Sequence, residues 1–313
     1  MSLPWAGPAA CYGADSAALA VRLESLGVTG VVQGDHLFVP GPPPDGPVAR
    51  MAADSLTVLT TVAAHSSRLS VATLVANVGL QHPIHLLRRF ANLALLYGGE
   101  RVYAGLGAGW SAREFEALGM TMPPHRERLA RLTETAQLAR ELFDEGWASV
   151  AGEHVVARDL PLTPAPPDPP RLLLGGGSPA LLELAARYAD HVDLAPPTHR
   201  RGDAPQRPLL TTVDDLADSA RLARAGPRRL TTSVLMSAVV VCEPSRVRAE
   251  EEAVCARVGL PWRPLGDCPY ALVGEPARLA ERVRERRERI GLDRLIVPYA
   301  AIEPFTAEVL PLA

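Results

Sequence analysis

"YGGERVYAGLGAGWSAREF" occupies residues 97–115. Its apolar run at 101–106 reads as a strand. Gly105, Gly107 and Gly109 follow at alternate positions, so they share one face of the strand end. A dinucleotide fold would place G-x-G-x-x-G in its first strand–helix unit, with an acidic residue closing the next strand. Here the spacing is G-x-G-x-G, three strand–helix pairs already precede it, and Trp110 follows. The stretch therefore speaks against a doubly wound dinucleotide fold. It leaves a bare strand face against which a flat ring system could lie.

Reading outward, short apolar runs predict strands at 8–12, 28–33, 69–76, 101–106, 171–175, 191–194, 232–242 and 294–298. Amphipathic segments predict helices at 15–26, 51–65, 83–97, 124–145, 178–189, 211–225, 244–258 and 275–290. Strand and helix alternate almost throughout, which predicts an α/β protein of the (β/α)8 TIM-barrel class. No composition break divides the chain, and the Pro-rich tracts at 40–47, 161–170 and 196–208 are too short for linkers. One domain over 1–313 is expected. "WASVAGEHVVARDL" (147–160) predicts a short hairpin insertion, and the charge-laced "RLAERVRERRERIG" (278–291) a solvated outer helix face.

Of 313 residues, 47% are hydrophobic and 21% charged, which suits a soluble protein with a sizeable core. The net charge of −3 offers no basic surplus for nucleic acid. Lysine is absent, so all 32 cationic side chains are arginine. Phosphate would have to be held by arginine or backbone N–H, and Schiff-base chemistry on lysine is excluded. Cys11, Cys242, Cys255 and Cys268 lie far apart with no C-x-x-C pair, so neither a metal site nor a disulfide framework is expected. With no leader-like start and no run of 18 apolar residues, the expectation is a cytoplasmic protein without membrane contact.

Barrel function gathers on the loops that follow the strands. Asp35 and His36 fall after the second strand, and Asn77 ends the third. Gly107, Ala108, Gly109 and Trp110 close the fourth; Gly175, Gly176, Gly177 and Ser178 close the fifth. Each has a plainer alternative: His36 as a capping group, Asp35 in an Asx-turn, Asn77 as a loop tie, "GGGSP" as a tight turn. Ser178 as N-cap with Pro179 at the first helical position would also leave bare N–H groups suited to an anion. No G-x-S-x-G, H-E-x-x-H or Walker A pattern is present, so common hydrolase, zinc-protease and NTPase readings lose ground.

Taken in order, "DHL", "LSVATLVANVGLQHP", "GGERVYAGLGAGWSAREFEALG", "RERLARLTE", "RLLLGGGSPALLELAARYAD" and "YALVGEPARLAERVRERRERIGLDRLIV" resemble the luciferase-like superfamily of flavin- and deazaflavin-dependent oxidoreductases. The likeness is greatest to its actinobacterial coenzyme F-420-dependent branch. That resemblance implies a (β/α)8 barrel with the cofactor across its mouth. Leu74, Val75 and Asn77 would support the ring, with a non-prolyl cis peptide at or near Leu74–Val75. Gly107, Ala108, Gly109 and Trp110 would flank it. Gly176, Gly177 and Ser178, with Arg126 or Arg128, are implied for the phosphate, and Gly175 for the cofactor site. His36, beside Asp35, matches a position used in some members for acid/base chemistry or substrate binding. Flavin-mononucleotide members often carry arginine where this chain has Ala108, which favours coenzyme F-420 over FMN. Sugar-phosphate dehydrogenases carry glutamate where it has Trp110, which puts that substrate class in doubt. The implied function is hydride transfer between coenzyme F-420 and a small organic substrate. The alternatives are an FMNH2-dependent monooxygenase and a non-catalytic cofactor-binding protein. A homodimer paired through "PIHLLRRFANLALLY" (83–97), and a separate reductase regenerating the cofactor, are the implied partners.

Overall fold

The structure, a computed structural model, describes residues 16–38, 52–196 and 207–313; the expected strand at 8–12 lies outside them. Two compact units emerge. The first comprises residues 3–175 and 188–190, the second 1–2, 176–187 and 191–313.

In chain order the first unit carries α1 (Ser16–Ser25), β1 (Gly30–Gln33), α2 (Ser55–Ala64), β2 (Ser70–Thr73), β3 (Ala76–Asn77) and α3 (Pro83–Tyr97). It continues with β4 (Val102–Gly107), α4 (Ala112–Ala117), α5 (His125–Glu145), β5 (Trp147–Ala151), β6 (Val156–Pro161) and β7 (Arg171–Gly176), whose last residue belongs to the second unit. β1, β2, β4 and β7 pair in that order, all parallel, and β3 adds to β4. Ala72, Tyr103 and Leu173 form a buried cluster with Val32, Leu74 and Val75 packed against it. The expected hairpin is present as β5–β6, antiparallel. Arg101 and Arg131 are among the arginines that brace this unit through backbone carbonyls. Arg101 donates to Leu69 O and Tyr97 O, both at 3.1 Å, and Arg131 to Val78 O (2.9 Å), Gln81 O (3.2 Å) and His154 O (3.3 Å).

The second unit carries α6 (Pro179–Tyr188), β8 (His191–Leu194), α7 (Arg207–Leu210), α8 (Val213–Ala223), β9 (Thr231–Leu235) and β10 (Ala238–Val241). α9 (Val247–Arg257), β11 (Ala271–Gly274), α10 (Pro276–Ile290) and β12 (Arg294–Ile296) follow. β8, β9 and β12 pair in parallel, and β10 and β11 form a separate parallel pair. Thr212 opens α8 with a reciprocal capping box to Asp215.

The structure departs from the sequence expectations at several places. The run 69–76 is not one strand but divides into β2 and β3; the break holds a cis peptide at Leu74–Val75, where the resemblance implied one. The run 232–242 is two strands, because the backbone changes partners. Met236 N–H donates to Ile296 O, whereas the N–H groups of Ser237 and Ala238 donate to Tyr270 O. β11, which receives β10, and the short α4 had no predicted counterpart. α10 is not wholly a solvated face. Arg286 stands on one side with Leu279 and Ile290, seven and four residues away, and is only 2% exposed. Its guanidinium donates to Cys268 O (2.6 Å) and Ala271 O (2.7 Å), and burial pushes it down to about 10.

Candidate functional site

The glycines of the opening stretch fit a neighbouring strand. A Cβ on Gly105 would lie 1.8 Å from Thr73 O, and one on Gly107 2.4 Å from Val75 Cγ2. Gly109, at φ +76°, would meet the Asn77 amide at 2.4 Å. Gly175 on β7 completes the cradle, its missing Cβ falling 2.9 Å from Val75 Cγ1. Thr73 Oγ1 ties the two chains by donating to Gly105 O at 2.6 Å. The face expected to lie bare is thus covered by Thr73, Val75 and Asn77. Glycine is needed there because any side chain would drive the β2–β3 segment off β4.

Asn77 caps this arrangement. Its Oδ1 accepts Gly79 N–H at 2.9 Å, the loop tie foreseen as the plain alternative. Its Nδ2 is buried and has no hydrogen-bond partner among the described residues, as is true of both polar atoms of the Gln33 side chain at the end of β1. A buried amide donor without an acceptor carries a desolvation cost of about 1–3 kcal/mol.

Asp35 and His36 follow β1 directly, as read from the sequence. Ser55 Oγ–H donates to Asp35 Oδ1 at 2.7 Å. Burial nonetheless pushes the Asp35 carboxyl up from its ordinary value, with Asp54 adding to the rise. The His36 Nδ1 lies 2.9 Å from Glu114 Oε1, and the same oxygen accepts Leu37 N–H at 2.8 Å. Glu114 is 3% exposed, so a sealed carboxylate grips the ring and the backbone beside it. The Trp110 ring meets the His36 imidazole edge-on, with centroids 5.3 Å apart.

Glu114 was not singled out in the sequence. It lies in α4 beside the buried Phe115, 78 residues from His36, and no local pattern separates it from the exposed Glu116.

The proposed phosphate residues divide. Arg126 is exposed. Arg128 braces the Gly109 turn, donating from Nε to Gly109 O (3.2 Å) and from a terminal nitrogen to Pro123 O (2.6 Å). In the second unit, Ser178 caps α6 as expected, its Oγ accepting Leu181 N–H at 3.3 Å. A Cβ on Gly177 would lie 2.3 Å from Pro196 O, so the loop is bound to its own unit's backbone.

Residues 7–294 match the family described as luciferase-like monooxygenase. The chain belongs to that family. An F420-dependent glucose-6-phosphate dehydrogenase of Nakamurella multipartita is 31% identical over 235 residues, covering 75% of this chain and 65% of that protein. The corresponding enzyme of Kineococcus radiotolerans is 33% identical over 172 residues, covering 55% and 49%. The chain thus spans about two thirds of the first of these relatives and about half of the second. Among solved structures, an F420-dependent secondary alcohol dehydrogenase superposes with a TM-score of 0.69 at 19% identity, covering 96% of this chain and 94% of that one. At that identity the likeness concerns the fold.

Proposed function

We propose that the protein is an oxidoreductase that moves a hydride between coenzyme F-420 and a small organic substrate. The observation that carries this reading is His36 held by the buried Glu114 beside Trp110, on the loops that follow β1 and β4. Relatives named as F420-dependent support the cofactor. The residues present fit a flavin-like ring on one count: the unpartnered, buried Asn77 Nδ2 suits a carbonyl oxygen at such a ring's edge. When bound, the deazaflavin supplies the carbon that accepts and returns the hydride. Leu74, Val75 and Asn77 would hold its ring, with Gly107, Ala108, Gly109, Trp110 and Gly175 around it. Gly176, Gly177 and Ser178, with Arg126 or Arg128, would take the phosphate.

The protein's own part is proton handling. With Glu114 an acceptor, Nδ1 of His36 carries hydrogen and Nε2 is the nitrogen that exchanges a proton with the substrate. It takes the proton when a substrate hydroxyl is oxidised and returns it when a carbonyl is reduced. Asp35, whose carboxyl is pushed up by burial, stands next in the chain as a second candidate carrier.

Fluorescence titration with coenzyme F-420 and FMN tests the cofactor. Ala108 leaves no arginine for an FMN phosphate, so F-420 should bind more tightly, and equal or reversed affinities overturn the assignment. The second reading, a monooxygenase using FMNH2 and dioxygen, draws on the family itself; substrate-dependent oxygen uptake with reduced FMN would establish it in place of the first. Tight cofactor binding with no turnover of any kind would favour a non-catalytic binding protein.

The same reading takes the whole chain as one (β/α)8 barrel, in line with the solved structure that superposes over 96% of it. It also takes the chain as a cytoplasmic homodimer paired through α3, where Leu95 and Leu96 are 37% and 66% exposed, and served by a separate reductase. Among the described residues no helix is long and apolar enough to cross a membrane. Light scattering that returns only a 33.4 kDa species would remove the dimer.

A further inference from the structure

The second unit contains a polar line that the proposed function does not use. His191 and Asp193 alternate on one face of β8, and β9 sets Thr231 and Ser233 opposite them in register. The Nδ1 of His191 lies 2.7 Å from Thr231 Oγ1, and its Nε2 lies 2.9 Å from Ser233 Oγ. Ser233 Oγ is in turn 2.7 Å from Asp193 Oδ1. His191, Asp193 and Ser233 are 2%, 7% and 0% exposed. Tyr270, just ahead of β11, donates its hydroxyl to Leu194 O at 2.9 Å. Asp193 is met directly by the Ser233 hydroxyl, with the His191 ring and Thr231 hydroxyl next along the line, and its charge helps push the Tyr270 phenol up. The Cys268 thiol stands behind the last.

Ser233 has a single hydroxyl proton, so the two bonds it makes run in one direction along the line. Either an ionised Asp193 accepts from Ser233, which accepts from Nε2–H of His191, or a protonated Asp193 donates to Ser233, which donates to Nε2. The same heavy-atom distances serve both. A bare carboxylate sealed in this setting, with one hydroxyl for solvation, is costly, and one proton on the pair removes the charge.

We propose that Asp193, Ser233 and His191 are a proton-sharing switch inside the second unit: one proton resides on the Asp193–His191 pair in acid and leaves to solvent as the medium turns alkaline, stranding a carboxylate in the core. Burial pushes Asp193 up from 3.8 to about 7, while the Ser233 bond pulls the other way. A group whose folded value is raised contributes stability in full below its unfolded value and loses it as pH rises through the folded one. The window for this site thus runs from 3.8 to about 7. Within it the unfolding constant rises up to about tenfold per pH unit, the slope of one proton. The second unit would become progressively easier to open as the surroundings leave acidity.

Denaturant unfolding of the full chain at a series of pH values, for wild type, Asp193→Asn and Ser233→Ala, tests this. The ratio of wild-type to Asp193→Asn unfolding constants should climb across the window and level off above it. Ser233→Ala removes the bond that favours the ionised form, so its window should extend to higher pH. Parallel slopes in wild type and Asp193→Asn, or a window moved to lower pH in Ser233→Ala, overturn the proposal. Should Asp193→Asn fail to fold, difference infrared spectra of Asp35→Asn decide, since that chain lacks the other raised carboxyl. The carbonyl stretch of a buried carboxylic acid should vanish as pH rises through about 7. Its absence at acid pH overturns the proposal.

Discussion

Each unit pairs a histidine with a carboxylate, and the two pairs are built in opposite ways. In the first unit Glu114 touches His36 directly, from a helix, and the ring sits on a loop with Trp110 against it. In the second, a serine stands between His191 and Asp193, and all three lie within paired strands. Direct contact fixes the orientation of an imidazole and fixes which nitrogen carries hydrogen, as acid/base work on a substrate requires. A hydroxyl in between lets a proton pass along the line without either ring or carboxyl moving, which suits storage. On the two proposals, the same residue types would serve exchange in one place and containment in the other.

The comparison breaks first at His36. His36→Ala should cut turnover by about 10²–10⁴ while F-420 affinity stays near wild type, as read from kcat and a parallel fluorescence titration. Unchanged turnover would make the first pair as silent toward substrate as the second. Glu114→Gln keeps the side chain's size and its acceptor for Leu37 N–H but removes the charge. A charge-assisted hydrogen bond is worth about 1.5–3 kcal/mol, so turnover should fall about 10- to 100-fold, with the pH profile of kcat displaced. An unaltered pH profile would reduce Glu114 to a backbone tie.

The frame carrying the first pair can be probed through its glycines. Gly105→Ala and Gly107→Ala should each cost about 1–3 kcal/mol in denaturant unfolding. Their neighbours differ: Gly107 faces the Val75 side chain, Gly105 the Thr73 carbonyl oxygen. Val75→Ala should therefore relieve Gly107→Ala and leave Gly105→Ala uncorrected, a contrast that a double-mutant cycle measures. Equal rescue of both would mean that the strands yield together. The smallest effect is expected at Ser55, whose hydroxyl serves Asp35 as that of Ser233 serves Asp193. Ser55→Ala should cost about 1 kcal/mol where Asp35 is ionised and fade toward acid pH, where the protonated carboxyl no longer needs the bond. A loss independent of pH would point to packing alone.

Local chemistry explains how much of this was legible. The helices at 83–97, 124–145 and 275–290 declare themselves by periodicity, and α3 spans the predicted residues. The strand-end positions of His36, Asn77 and Ser178 follow from the alternation of elements, and Ser178 caps its helix as its neighbour Pro179 suggests. What escaped depends on partners far along the chain. Glu114 acquires its role from a residue 78 positions away, and Ser233 from one 42 away. The exchange of partners at Met236–Ala238 divides an unbroken apolar run, and no residue in that run marks the point. Arg286 sits in a charged stretch whose composition says solvent, while its spacing from Leu279 and Ile290 says interior. There spacing was the better guide. The glycines at 105, 107 and 109 were visible at once, but their reason was not, because it lies in Thr73, Val75 and Asn77 on the adjacent strand.

The carbonyl-bound arginines bear on how the chain meets a protease. With no lysine, every tryptic site is an arginine. Cleavage requires the guanidinium to enter the protease's specificity pocket with several flanking residues extended. Arg131 would have to release Val78, Gln81 and His154, and Arg101 would have to leave Leu69 and Tyr97, before either could be presented. Those bonds thus stand as guards over their own peptide links. Nicking of the native first unit should begin instead at exposed arginines such as Arg113 and Arg158, and the fragments should stay associated until the braces at Arg101 and Arg131 are lost.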